Sequence, residues 1–165
     1  MDPFSTESEL FAIQSHFHQG QYASVIDYDL SSLSPENHAA ANVLILRARV
    51  ASGHAEEVLG EVRGSNEPEL KAVAALAACV AGKEEEAASK VEELAAEHGE
   101  NGTVQVLGGI VLFRAGKVEE ALALLGKHEG NRTLSLSLRA HIACCGRGWG
   151  VASCANYTGV PADTG

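Results

Sequence analysis

Nowhere in the 165 residues is there an apolar run of about 18, so a membrane-spanning helix is excluded. The opening Met1-Asp2-Pro3-Phe4-Ser5 lacks the basic region and hydrophobic segment of a secretory leader. A cytosolic chain is expected. Basic residues are scarce: 12 Lys plus Arg against 22 Asp plus Glu leave a net charge of −10. A phosphate backbone or an anionic lipid surface repels such a chain, which excludes nucleic acid as a main partner and direct membrane insertion. Cysteine is sparse as well, with only Cys79, Cys144, Cys145 and Cys154, and in a reducing compartment these are expected as free thiols. The N-x-[ST] sites at Asn101, Asn131 and Asn156 are expected to stay unmodified in a chain that never enters the secretory lumen. What remains is an ordinary globular composition, 45% apolar and 21% charged, in a length that suits one or two domains.

Self-similarity is the strongest positive signal. The stretches Gly53-His54-Ala55-Glu56-Glu57-Val58-Leu59, Gly82-Lys83-Glu84-Glu85-Glu86-Ala87-Ala88 and Gly116-Lys117-Val118-Glu119-Glu120-Ala121-Leu122 share one pattern, and Gly20-Gln21-Tyr22-Ala23-Ser24-Val25-Ile26 is a weaker copy. The glycines step by 33, 29 and 34 residues, the period of a helix hairpin. Each glycine suits a helix end that must turn through a left-handed conformation. The paired glutamates then fall in the first turn of the next helix, where the dipole favours negative charge by about 0.3–1 kcal/mol. Val58, Ala87 and Ala121 follow where a small side chain lets two helices approach closely.

Upstream start signals agree. Thr6 with Glu9 and Asn66 with Glu69 have capping-box spacing, and Ser34-Pro35 places proline at a first helical position. Helices are expected to start near 7, 36, 67 and 102, giving antiparallel pairs over about 6–31, 35–63, 67–98 and 102–128. A single pair cannot bury its own apolar faces, so the pairs must stack. The pattern resembles a divergent tetratricopeptide repeat: Gly20, Tyr22 and Val25 fit its turn loosely, and the later copies lack the tyrosine. The expected fold is all-α, a tetratricopeptide-like α-solenoid of about four helix hairpins with an irregular C-terminal tail.

That resemblance implies that the first helix of each pair lines the concave surface. The candidate partner-binding residues are Leu10, Gln14 and Phe17 in the first pair, Val43 and Arg47 in the second, Leu76 in the third, and Val106, Ile110, Phe113 and Arg114 in the fourth. Most are apolar, so the groove is expected to be filled by a long-lived protein partner or by later helices of the chain itself. Clamping an acidic peptide terminus needs several cations, and only Arg47 and Arg114 are offered. Residues 1–130 carry a net charge of −12, which opposes that use further.

The opening Asp2-Pro3-Phe4 and Glu9-Leu10-Phe11, followed by His16-Phe17-His18-Gln19-Gly20-Gln21-Tyr22 and the run Phe17 to Asp29, resembles the epsilon subunit of coatomer, nearest in form to fungal versions. Leu44 to Leu59 and Ala115 to His128 look similar too. The likeness covers residues 1–130. It implies a non-enzymatic subunit of the COPI vesicle coat with no cofactor. Such a subunit binds the C-terminal region of the alpha subunit of coatomer, and through it the rest of the coat. It is cytoplasmic, peripheral on Golgi and COPI vesicle membranes, and serves retrograde Golgi-to-ER and intra-Golgi transport. The alternative is a generic cytosolic adaptor that binds peptides transiently.

Residues 131–165 depart from this frame. They hold three of the four cysteines, the only tryptophan, five glycines and four charged residues. A shifted reading frame or retained intron is the expected cause, with Leu134 to Cys145 capping the fourth pair and Gly146 to Gly165 irregular. His141, Cys144, Cys145 and Cys154 do not match zinc spacing, and no carboxylate near in sequence orients a Cys–His nucleophile. His16 and His18, two residues apart on a helix, point to different faces and cannot share a metal. Asp27, Asp29 and Glu84-Glu85-Glu86 read as solvated charges rather than acid–base pairs. Gly108-Gly109 lacks the Lys-Ser or Lys-Thr of a phosphate loop, so close helix contact explains it.

Overall fold

The computed structural model describes residues 3–127, with side chains from Glu9 onward. Among the described residues there is no strand, and eight α-helices form four hairpins: α1 (Pro3–His18) with α2 (Tyr22–Ile26), α3 (Pro35–Ala51) with α4 (Ala55–Glu61), α5 (Pro68–Val80) with α6 (Glu84–His98), and α7 (Gly102–Arg114) with α8 (Val118–Gly126). The expectations for residues 131–165 lie outside the described residues.

The four repeat glycines sit at the four hairpin bends, with φ of 73° at Gly20, 93° at Gly53, 86° at Gly82 and 80° at Gly116. At every bend the residue after the glycine donates its N–H to the carbonyl five residues back: Gln21 to His16, His54 to Arg49, Lys83 to Ala78 and Lys117 to Leu112, at 2.9–3.0 Å. The glycine N–H bonds the carbonyl three back in each case, completing a Schellman motif that satisfies the last carbonyls of the helix. The repeat is therefore a copied helix terminator. The glutamates that follow occupy the first turns of α4, α6 and α8 as expected.

Two features depart from the sequence expectation. The second helices of the first two hairpins are short: α2 ends at Ile26, and Asp29 then caps a 3-10 turn at Leu30–Ser32, while α4 stops at Glu61, just past Gly60. The capping boxes are also absent. The helix expected to start after Asn66 has Glu67 as its N-cap, because the residue before Pro68 is driven into extended backbone (φ −69°, ψ 129°) and cannot join the helix. Helix α1 begins at Pro3, ahead of Thr6, and Glu9 is used elsewhere.

Packing follows from the hairpin stack. The internal first helices α3 and α5 each contact the first helices on either side, their own second helix and the second helix of the preceding hairpin. The core lies between these layers. Val58, Ala87 and Ala121 are wholly buried at the close approaches, and Leu46, Leu76, Leu107 and Ile110 fill the interior, each contributing about 1.5–3 kcal/mol by burial. A Cβ on Gly109 would stand 2.6 Å from Leu125 Cγ, and one on Gly108 would stand 2.9 Å from Leu124 and Val91. The two glycines are where α8 and α6 press against α7. An α-solenoid of tetratricopeptide type is what this arrangement makes.

Candidate functional site

Because a first helix has two to four neighbours, much of the face expected to be open is spent on packing. Phe17, Val43, Leu76 and Ile110 are buried among the helices. Leu10, Val106 and Phe113 are half-buried, packed on the core with an edge exposed, and Gln14 is exposed. Val80, two residues before its glycine, is half-buried in the same way. Arg47 and Arg114 are half-buried as well. The structure thus leaves Leu10, Val80, Val106 and Phe113 partly covered on α1, α5 and α7, and Arg47 and Arg114 partly covered on α3 and α7.

The two arginines differ. Arg114 on α7 stands 4.0 Å from Glu84 at the start of α6, so a carboxylate of the chain answers its charge. Arg47 on α3 lies over the ring of Phe17, 4.6 Å from its centroid, and makes no ion pair among the described residues. Its Nε is buried without a hydrogen-bond partner. Burial draws its guanidinium down to about 10, partly offset by the nearby Tyr22, and the group is still cationic at neutral pH. Around the same ring, Tyr22 packs edge-on at 5.7 Å and His18 at 5.9 Å. Burial first, and Arg47 second, lower the pKa of His18, which favours the neutral imidazole.

Two carboxylates serve partners other than the ones local spacing assigns them. Glu9 on α1 accepts the Ser34 backbone N–H and hydroxyl, both at 2.9 Å, and the Asn37 amide at 2.8 Å, so it secures the N-terminus of α3. Glu69 on α5 accepts from Asn101 Nδ2 at 2.6 Å, and Asn101 is the N-cap of α7. Both tie one first helix to the next. The buried Gln105 adds a bond from its Nε2 to the Gly99 carbonyl at 2.7 Å, closing the α6–α7 connection. The only hint in the sequence is the spacing of Thr6 with Glu9 and of Asn66 with Glu69, which local capping rules read as each acid serving its own helix.

Among the described residues, groups able to do chemistry are not brought together. Burial raises the pKa of the Cys79 thiol, the reverse of what an activated thiolate requires. His16 bonds Gln21 at 2.7 Å while His18 packs on Phe17, so the two turn to different neighbours. Asp29 is occupied by the Ser31 N–H. Among the described residues no group of three or more His, Cys, Asp or Glu side chains could hold a metal ion, and no helix is long and apolar enough to cross a membrane. His141, Cys144, Cys145 and Cys154 lie outside the described residues.

Comparison with known proteins supplies a family. The model of the coatomer epsilon subunit family matches residues 6–144, which carries the likeness beyond residue 130 into the segment of different composition. The protein named probable coatomer subunit epsilon in Schizosaccharomyces pombe is 25% identical over 140 residues, covering 84% of this chain and 46% of its own length. Coatomer subunit epsilon-2 of Arabidopsis thaliana is 29% identical over 118 residues, covering 68% of this chain and 40% of its own. The chain therefore spans less than half the length of these relatives. No solved structure matches it.

Proposed function

This chain belongs to the coatomer epsilon subunit family, and from that premise we propose that it is a non-enzymatic structural subunit of the COPI vesicle coat, holding the C-terminal region of the alpha subunit of coatomer along its first helices. The observation that carries this reading is that Leu10, Val80, Val106 and Phe113 are left partly open on first helices that otherwise pack tightly. Covering them with a partner removes apolar surface from water at about 25 cal/mol per Å². Arg47 and Arg114, half-buried on the same set of helices, add points of orientation.

In this role the protein works on the cytosolic side of Golgi and COPI vesicle membranes, in retrograde Golgi-to-ER and intra-Golgi transport. It reaches the bilayer through its partners, since a net charge of −10 is repelled by anionic lipid. The division into a helical-repeat domain over 1–130 and an aberrant tail over 131–165 is part of the same proposal, and comparing transcript with genomic frame around residue 130 tests it. The role itself is tested by co-expressing the full chain with the C-terminal region of the alpha subunit and measuring co-elution by size-exclusion chromatography. A one-to-one complex that persists at high salt is expected; separate elution overturns the reading.

A further inference from the structure

Of the half-buried Lys and Arg side chains among the described residues, Arg47 alone has no ion pair. Arg49, two residues on, pairs with Glu57 at 3.7 Å and with Glu61; Lys90 pairs with Glu86 and Lys117 with Glu92. With acids outnumbering bases 22 to 12, a half-buried arginine without a carboxylate among the described residues is conspicuous. The described groups around it are rings: Phe17 lies beneath the guanidinium, and Tyr22 and His18 flank the Phe17 ring.

The state of its nitrogens is informative. Nε alone is both enclosed and without a partner, so the terminal amino groups of the fork are the part that meets solvent. Stacking on the Phe17 ring holds the guanidinium plane fixed. A planar fork, immobilised by an aromatic face and partly desolvated, is organised for bidentate contact with a carboxylate, and such charge-assisted pairs are the stronger hydrogen bonds.

We infer that Arg47, stacked on Phe17 beside Tyr22 and His18, is the receptor for one Asp or Glu side chain of the polypeptide that seats on the first helices. The inference rests on the coat-subunit reading and names the chemistry of its partner. Charge narrows it further. A chain at −12 over residues 1–130 repels an acidic segment as a whole, so the complementary stretch is apolar and basic on balance and carries a single acid at the point that meets Arg47.

The test uses the full chain, co-expressed with the C-terminal region of the alpha subunit of coatomer as the probe. R47M keeps the apolar stem and removes the fork, and it is expected to weaken the complex about 30-fold or more. R47K keeps a charge without the fork and is expected to weaken it about tenfold. Helical circular dichroism and melting of each free variant report folding, and if R47M loses its helical signal R47K carries the comparison. An Asp/Glu→Ala scan of the alpha segment is expected to contain one variant whose loss does not add to that of the arginine variant. If the wild-type chain binds and both arginine variants bind within about twofold of it, the carboxylate receptor is overturned while the coat reading stands. The receptor is equally overturned if every acidic variant adds independently. If the wild-type chain does not bind, both fall together.

Discussion

Asn101 caps α7 by accepting the Thr103 and Val104 N–H groups on Oδ1, and with Nδ2 it donates to Glu69 Oε1 on α5, 2.6 Å away. One side chain thus starts a helix and fastens it to the hairpin before. Truncating Asn101 to Ala removes the cap and leaves the Glu69 carboxylate without this donor, so a loss of about 1–2 kcal/mol is expected in urea unfolding. Asn101→Asp keeps the cap but sets two carboxylates face to face, and it too should be less stable than wild type. Equal midpoints for both variants and the wild type would show that the tether is idle. The same bond occupies the amide nitrogen that N-glycosylation would need at this sequon.

Glu9 performs the matching task at the first junction. Its carboxyl is held below the ordinary value by the Ser34 N–H first, then by Asn37 and the Ser34 hydroxyl. A pKa lowered by folding adds stability that is fully present above the ordinary carboxylate value and is lost as pH falls through the lowered one. The urea midpoint is therefore expected to drop as the solution is taken below about pH 4.5. Glu9→Gln should flatten part of that drop, and an identical pH profile for the variant would contradict the assignment.

Gly109→Ala carries a sign opposite to helix propensity. Alanine is better than glycine in a helix interior by about 1 kcal/mol. Here its Cβ would enter the space of Leu125, 2.6 Å from Cγ, so overpacking of about 1–3 kcal/mol is expected to win. A lower melting temperature for Gly109→Ala, recovered in part by also trimming Leu125, supports the contact. A rise in melting temperature contradicts it.

At the bends the cost has another origin. A Cβ on Gly82 meets nothing within 4 Å, so Gly82→Ala tests backbone strain alone. Its φ of 86° makes a loss of about 1–2 kcal/mol the expected result. Gly82→Asn should cost less, because asparagine tolerates the left-handed region. Chemical denaturation of the pair decides the matter, and an unchanged Gly82→Ala variant would refute the strained bend.

Signals that act within a few residues are legible in the sequence. Gly53 and Gly82 end helices, Glu56 and Glu85 open them, and Ser34-Pro35 marks a start, since each works on its own backbone. Glu9 and Glu69 are not legible in this way because their partners lie 25 and 32 residues away, and local spacing cannot distinguish a helix from its neighbour's cap. The face is legible in residue type but not in exposure. Cys79 and Phe113 each lie three residues before a bend glycine, on α5 and α7, yet one is buried between helices and the other half-open. That Arg47 has no ion pair among the described residues is invisible for the same reason: it depends on which acids of other helices reach it.

Hydrogen–deuterium exchange of the full chain, alone and with the C-terminal region of the alpha subunit, tests most directly whether a polypeptide lies along the first helices. Slower exchange confined to peptides from α1, α3, α5 and α7, with α6 and α8 unchanged, is the predicted result. Protection that falls on α6 and α8 instead, or on none of the helices, would contradict it.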